Sequence, residues 1–343
     1  MLTPEWLAAT KECVRQWEGR VCGIAYTQSY FRNPSDIWYD RLATDVPSYI
    51  AGGLAKVGAD CIYLNVEQVI ELCLLPERRK TISAIFNVCL GHLSLDNWAL
   101  IPALSSWADL PVLPNGAHAS LLGEDKRAAK DFALRAGLPT PEVWAERTGA
   151  TGPHVKKPRG WGSSVGLELV DGPRLLEPDS IVEPFVSGTD LTVTLLHDPS
   201  RGRLAPVGAL HVSHGGGDPE STLWTEAKKS RGPLNQTMER SFHEIDTDLE
   251  QAIDEFARDL GVRSAARIDF RMPRPPGGSR IGLSEVVFLE INPCPTPSAL
   301  SSFGRTISHA VRRDDVEGLF LADDGDHSDA FAIGSLLSSV NAR

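Results

Sequence analysis

Residues 265–301, AARIDFRMPRPPGGSRIGLSEVVFLEINPCPTPSALS, decide how the chain is read. Two β-rich runs, AARIDF and EVVFLEIN, flank a Pro/Gly-rich reversal over residues 273–278, which predicts antiparallel neighbours. Each run carries an acid where a buried strand prefers an apolar residue: Asp269 between Ile268 and Phe270, and Glu290 between Leu289 and Ile291. Alternation places Asn292 on the same face as Glu290, so oxygen donors converge on one side of the hairpin. Carboxylates leaving water need a compensating charge, and a donor set without His or Cys suits a hard cation such as Mg2+ better than zinc. The plain alternative is a pair of strands whose acids face solvent, with Arg267 pairing either one.

Outward from this stretch, the chain is long enough, at 343 residues, for two or three domains with their own cores. A formal net charge of -11 argues against nucleic acid or an anionic membrane as partner, since either needs an extended basic surface. The six cysteines show no CxxC and no disulfide-like spacing, and the N-terminal MLTPEWLAATKECVRQWEG has no apolar core of signal-peptide length. A cytoplasmic protein with reduced thiols is expected.

Upstream, an α/β alternation is expected. Thr3 and Pro4 open a helix that Gly19 closes; VCGIAY is a strand; a helix starts near residue 47; residues 61–64 and 82–88 are further strands. The order implies a parallel layer. An aromatic-rich segment, including Tyr30, Phe31, Trp38 and Tyr39, interrupts it. From about residue 115 the pattern changes. A charged helix runs from about Glu124 to Gly137, on which Lys126, Lys130 and Arg135 are by default solvated. Then HVKKPRGWGSSVGLELVDG places short β runs around a loop with Gly160, Gly162, Ser163, Ser164 and Gly166, and with Lys156, Lys157 and Arg159 at its base. Small residues, free N–H groups and nearby cations are the parts of a phosphate cradle; a plain hairpin with a flexible tip is the alternative. In SIVEPFVSGTDLTVTLL, the backbone from Glu183 through Pro184 and Phe185 to Val186 can clamp a flat ring, and Asp190 can reach a sugar hydroxyl. An edge strand with a tight turn explains the same letters. Residues 245–260 form an amphipathic helix, and a last helix, AFAIGSLLSSV, is expected to pack on a domain surface.

Gly162-Ser-Ser-Val-Gly166 also fits the G-x-S-x-G pattern of serine hydrolases, and HGGG at His214 resembles an oxyanion-hole segment. Context argues against that reading. A nucleophile elbow needs a helix directly after the serine, whereas LELVDGP is β-like, and the HGGG element should precede the nucleophile rather than follow it. His211 and His214 form an HxxH expected in a loop, with no third ligand.

Taken together, Lys126 at a helix start, KPRGWGSSVG, VEPFVSGTDLTV and RIDF…FLEINPCPTPS resemble the ATP-grasp superfamily, and within it the D-alanine:D-alanine ligase-like group. The resemblance covers about residues 117–301. It implies an N-terminal Rossmann-like α/β domain (1–115) and two α+β subdomains (116–182 and 183–343) that clamp ATP. It also implies an ATP-dependent, ADP-forming carboxylate-amine ligase that makes an amide through an acylphosphate. Lys126 and Lys157 would contact the phosphates, and Gly162, Ser163 and Ser164 would close over the γ-phosphate. Glu183 to Val186 would form the adenine hinge, with Asp190 at the ribose. Asp269, Glu290 and Asn292 would hold two Mg2+ ions, with Mn2+ as a substitute. Arg267 would face the reacting carboxyl, Ser301 a substrate carboxylate, Thr296 would offer a backbone donor, and Lys228 or Lys229 would belong to a mobile loop. The partners implied are a small carboxylic acid and an amine, and a homodimer is compatible. A non-catalytic ATP-grasp nucleotide-binding module is the second reading and the hydrolase the third.

Two departures bear on the substrate. The group begins with a glycine-rich segment bearing a glutamate for the first substrate's amine, where this chain has GIAYTQSYFRNPSD; and its HG after FN is Leu90-Gly91 here. The expected acid is therefore not D-alanine but another amino acid or amino-acid-like molecule, in specialised metabolism.

Overall fold

The computed structural model describes residues 2–26, 37–89, 95–143, 152–162, 164, 166–171, 179–214, 238–298, 301–311 and 328–341. Helix α1 (Pro4–Arg15) starts as its sequence predicts, with Pro4 in the first turn and Thr3 Oγ1 accepting the Trp6 N–H at 3.2 Å. Then β1 (Val21–Tyr26), α2 (Ile37–Lys56), β2 (Asp60–Leu64), α3 (Val66–Leu74), α4 (Pro76–Arg79), β3 (Ala84–Val88), α5 (Leu95–Trp107) and β4 (Val112–Leu113) follow. Their strands pair in parallel in the order β2-β1-β3-β4. Strand β3 is buried at every position, as a parallel strand covered on both faces must be. Pro47 does not open α2; it lies inside it.

The single helix expected from about residue 124 is two. Helix α6 (Ala117–Glu124) breaks at Asp125, whose side chain accepts the Arg127 N–H at 3.1 Å and caps α7 (Lys126–Arg135). Strands β5 (Pro153–Pro158), β6 (Glu168–Asp171) and β7 (Ser180–Pro184) form an antiparallel sheet ordered β6-β5-β7. A larger sheet takes β8 (Thr189–Asp198), β9 (Arg203–His214), β10 (Met238–Ile245), β11 (Ala265–Met272), β12 (Arg280–Ile281) and β13 (Val287–Asn292), with α8 (Thr247–Asp259) between β10 and β11. Its order is β12-β10-β9-β8-β11-β13. The expected hairpin is present, with β11 antiparallel to β13. One face of this sheet packs Leu191, Val193, Ile268, Phe270 and Phe288 against α7 and α8.

Two expectations need correction here. His211 is not in a loop but on β9, buried, with Nε2 2.7 Å from Thr189 Oγ1 and Nδ1 3.2 Å from Ser241 Oγ. After α9 (Ser302–Ala310), the last helix α10 (Ser328–Asn341) does not lie on a surface. Phe331, Ile333 and Leu337 are fully buried in one cluster with Trp6, Ile50 and Leu54 of the N-terminal region and with Leu196 of β8. AFAIGSLLSSV has no charged residue on any face, only apolar residues, Gly and Ser, and such a helix can be buried. No described helix is long and apolar enough to cross a membrane.

Candidate active site

The acid-bearing hairpin owes its geometry to a bulge. Strict alternation along β13 would send Phe288 to the same side as Glu290, but the pairing register shifts between Asp269 and Phe270. Phe288 therefore stays in the core while Glu290 and Asn292 share the other face with their cross-strand partners Asp269 and Arg267. On that face Arg267 donates to Asp269 Oδ2 from Nη2 at 2.8 Å and from Nε at 3.1 Å. Thr192 of β8 donates to Asp269 Oδ1 at 2.9 Å, and Asn292 Oδ1 accepts the Cys294 N–H at 2.8 Å. Burial raises the Asp269 carboxyl above its usual range despite Arg267, and Glu290 adds to the push.

Lys126 ties this face to the Gly/Ser loop. It begins α7, is buried, donates to the Trp161 carbonyl at 2.6 Å and lies 3.5 Å from Glu290 Oε2. Its backbone N–H also bonds the Arg159 carbonyl at 3.0 Å, while the Arg159 guanidinium pairs with the cap residue Asp125. In the loop, Ser164 holds a positive φ of 63° and Gly166 one of 69°; Ser163 is outside the described residues. After Gly166 the chain enters β6, a strand and not the helix a nucleophile elbow requires.

Lys157 and Glu183 meet each other. Glu183, on β7, is buried with Oε1 2.5 Å from Lys157 Nζ and Oε2 2.8 Å from Lys130 Nζ. The default placement of Lys126 and Lys130 in solvent is thus wrong; both are buried. Burial alone would raise the Glu183 carboxyl, but the two lysines outweigh it and hold it below its usual range. Burial lowers Lys130 to about 8 against the pull of Glu183. Lys157 meets the same burial, yet Glu183 and Glu290 carry it above its ordinary value.

In the hinge segment, the Phe185 N–H bonds the Pro153 carbonyl at 3.0 Å, and the Val186 carbonyl accepts from Arg271 Nε at 3.1 Å. Arg271 also pairs with Asp190 and lies 5.9 Å over the Phe185 ring, so one guanidinium sets hinge and acid together. Pro184, Phe185 and Val186 are half-buried. Past the hairpin, Ser301 caps α9: its Oγ accepts the Gly304 N–H at 2.9 Å and lies 2.7 Å from the Thr296 carbonyl. Lys228 and the Leu90-Gly91 pair, with most of the aromatic-rich segment, lie outside the described residues.

Sequence reasoning missed four side chains. Thr192 and Arg271 hold the acids from neighbouring strands, where only the register reveals them. Buried Asn115 donates to the Ala265 and Pro293 carbonyls at 2.7 and 2.6 Å and accepts from the Arg263 N–H at 2.9 Å, locking both ends of the hairpin; in sequence it is one turn residue in LPNG. Glu124 is buried at 8% exposure, and burial pushes its carboxyl up to about 8, against the nearby Lys126.

The donor set of the acid face fits a divalent cation. It is all oxygen, lies on one face, and includes a carboxyl that burial, with Glu290 beside it, leaves raised in proton affinity.

No protein-family model matches the sequence. Solved structures do match. A D-alanine–D-alanine ligase from Bacillus anthracis complexed with ATP aligns over 94% of this chain and 98% of its own, with a TM-score of 0.59 at 13% identity. The VanG D-Ala:D-Ser ligase from Enterococcus faecalis aligns over 88% and 99%, with a TM-score of 0.58 at 17% identity. The fold is thus that of the ATP-grasp enzymes, a class the facing loop and acid hairpin also describe. In sequence, the chain is 32% identical over 243 residues to the D-alanine–D-alanine ligase of Cereibacter sphaeroides, spanning 64% of this chain and 71% of that one. It belongs to the D-alanine–D-alanine ligase family, and with it to the ATP-dependent, ADP-forming carboxylate-amine ligases.

Proposed function

We propose that this chain activates the carboxyl group of an amino acid or amino-acid-like substrate with ATP and passes the acyl group to an amine, making a peptide-type amide in specialised metabolism. The observation that carries the reading is Lys126, whose ammonium sits between the Trp161 carbonyl and Glu290 so that the Gly/Ser loop and the acid face border one space. In this reading Lys126 and Lys157 take the phosphates, and Gly162, Ser163 and Ser164 cover the terminal one. Pro184, Phe185 and Val186 line the adenine, with Asp190 at the ribose; Glu183 acts from behind by holding Lys157. Asp269, Glu290 and Asn292 would hold Mg2+, two ions or their Mn2+ substitutes. Bound there, the metal neutralises charge on the phosphates.

The chemistry balances without a protein nucleophile. A carboxylate oxygen of the acid attacks the γ-phosphorus, the bond to the bridging oxygen breaks, and ADP leaves. The amine nitrogen then adds to the acyl carbon, loses a proton, and phosphate departs with its bonding pair. Arg267, anchored by Asp269, faces the oxyanion formed in between, with Thr296 and Ser301 at the carboxylate end. Lys228 would help seal the site, since water would hydrolyse the acylphosphate.

The three sheets suit a division near residues 115 and 182, with residues 328–341 returning to the N-terminal cluster, and the free cysteines among the described residues suit a cytoplasmic enzyme acting on small molecules, as a monomer or homodimer. The relatives are named for D-alanine and D-Ala:D-Ser ligation; the altered N-terminal segment GIAYTQSYFRNPSD favours a different acid here. To test this, pooled amino acids are incubated with the chain, ATP and Mg2+ and the products weighed by mass spectrometry. A dipeptide-type product other than D-Ala-D-Ala is expected; D-Ala-D-Ala alone would return the chain to its relatives' substrate.

A further inference from the structure

Three successive carbonyls at the entry to the Gly/Ser loop are each taken by a donor from elsewhere in the chain. The Arg159 carbonyl accepts the Lys126 backbone N–H at 3.0 Å, the Gly160 carbonyl accepts the indole N–H of Trp98 at 3.3 Å, and the Trp161 carbonyl accepts from Lys126 Nζ at 2.6 Å. Two of these donors belong to one residue at the start of α7. The third comes from α5, 62 residues away in sequence and within the N-terminal α/β region. In a planar trans peptide the carbonyl and the following N–H point in opposite directions, so fixing these carbonyls also fixes the N–H groups of Gly160, Trp161 and Gly162. Among the described residues those three N–H groups have no acceptor, the condition of a loop that takes an anion.

The Trp98 bond is not a by-product of burying an indole. Among the described residues the buried indole N–H groups of Trp6 and Trp17 go without an acceptor, whereas buried Trp98 gives its single donor to the loop. Nor do the two side-chain donors do the same work. Lys126 also lies 3.5 Å from Glu290, and in the ligase reading its ammonium turns to the phosphates. An indole N–H carries no charge and has no such second duty. The base of the loop is fixed separately, with the Arg159 N–H on the Asp179 carbonyl at 2.8 Å and its guanidinium on Asp125, so Trp98 acts on the peptide beyond that anchor.

We propose that Trp98 is a positioning residue: its indole N–H holds the Gly160 carbonyl so that the Gly/Ser loop is set for the terminal phosphate of ATP. The N-terminal region thereby reaches the nucleotide through one hydrogen bond, from outside the two subdomains expected to clamp it. This assignment rests on the ligase reading and adds a residue to it.

The test uses the full-length chain and two nucleotides that need no knowledge of the acid or the amine. Mg2+ with AMP-PNP presents a terminal phosphate that is not transferred; Mg2+ with ADP lacks that phosphate. Calorimetric titration compares wild type, W98F, and a chain carrying at position 98 the tryptophan isostere in which sulfur replaces the indole N–H. In both altered chains Kd for AMP-PNP is expected to rise about tenfold, the size of one lost hydrogen bond, while Kd for ADP stays within about twofold. A general loosening of the fold would weaken both nucleotides alike, and that result would overturn the assignment. So would AMP-PNP binding within about twofold of wild type in the isostere chain, since the isostere keeps the shape of the ring and removes the donor alone. Wild type that binds neither nucleotide would overturn the ligase reading, and the assignment with it.

Discussion

Two groups of buried charge lie within reach of the same site and are built in opposite ways. Around Glu183 the charges are settled: its two oxygens each meet a lysine, at 2.5 Å from Lys157 and 2.8 Å from Lys130. On the β11–β13 face they are not. Glu290 lies 3.5 Å from Lys126, and burial pushes both Asp269 and Glu124 upward in proton affinity. The first group spends its electrostatics on holding Lys157 in place. The second holds its acids more loosely on a half-exposed face, as a site that takes up cations does.

The sharpest way to break this contrast is on the acid face. D269N or E290Q should reduce Mg2+-dependent ADP release by about a thousandfold or more; E290Q should leave the melting temperature about level, whereas D269N should lower it because Arg267 loses the carboxylate it holds. The settled group should answer chiefly in stability. E183A strands two buried lysines and is expected to cost about 3–5 kcal/mol in urea unfolding. An E183A chain as stable as wild type would show that the trio is not a structural unit.

A smaller effect concerns pH. The Glu124 carboxyl is raised in the folded chain from 4.5 to about 8, so the folded state holds more protons between those values. Its stabilising contribution is complete below pH 4.5 and is lost as pH rises through about 8. Ligand-free wild type should therefore lose stability on the order of a few kcal/mol across that window, and E124Q should flatten the slope. The smallest expected change is S301A. Losing the cap of α9 should cost about 1 kcal/mol in chemical denaturation.

The acid hairpin, the Gly/Ser loop and the parallel N-terminal layer were legible because each is a local pattern: alternation, turn residues, strand and helix in turn. What escaped depends on partners distant in sequence. Lys130 looks like any solvated helix lysine until β7 brings Glu183 beside it. The bulge that separates Phe288 from Glu290 cannot be read from alternation, because it breaks alternation. Asn115 passes for a turn residue, since its carbonyl partners at Ala265 and Pro293 arrive only when the hairpin folds. Glu124 was hidden by company: in GEDK an acid before a helix start is unremarkable, and only burial singles it out.

Helix α10 has a consequence for how this protein is made. Phe331 and Ile333 complete the cluster around Trp6 and Leu54, so the segment near residue 6 waits for residues near 330 to be synthesised before its interior can close. Domains that finish one after another during synthesis have no such delay. A nascent chain halted before residue 328 should accordingly be open to protease around α1 and α2, and should become resistant only once α10 has emerged.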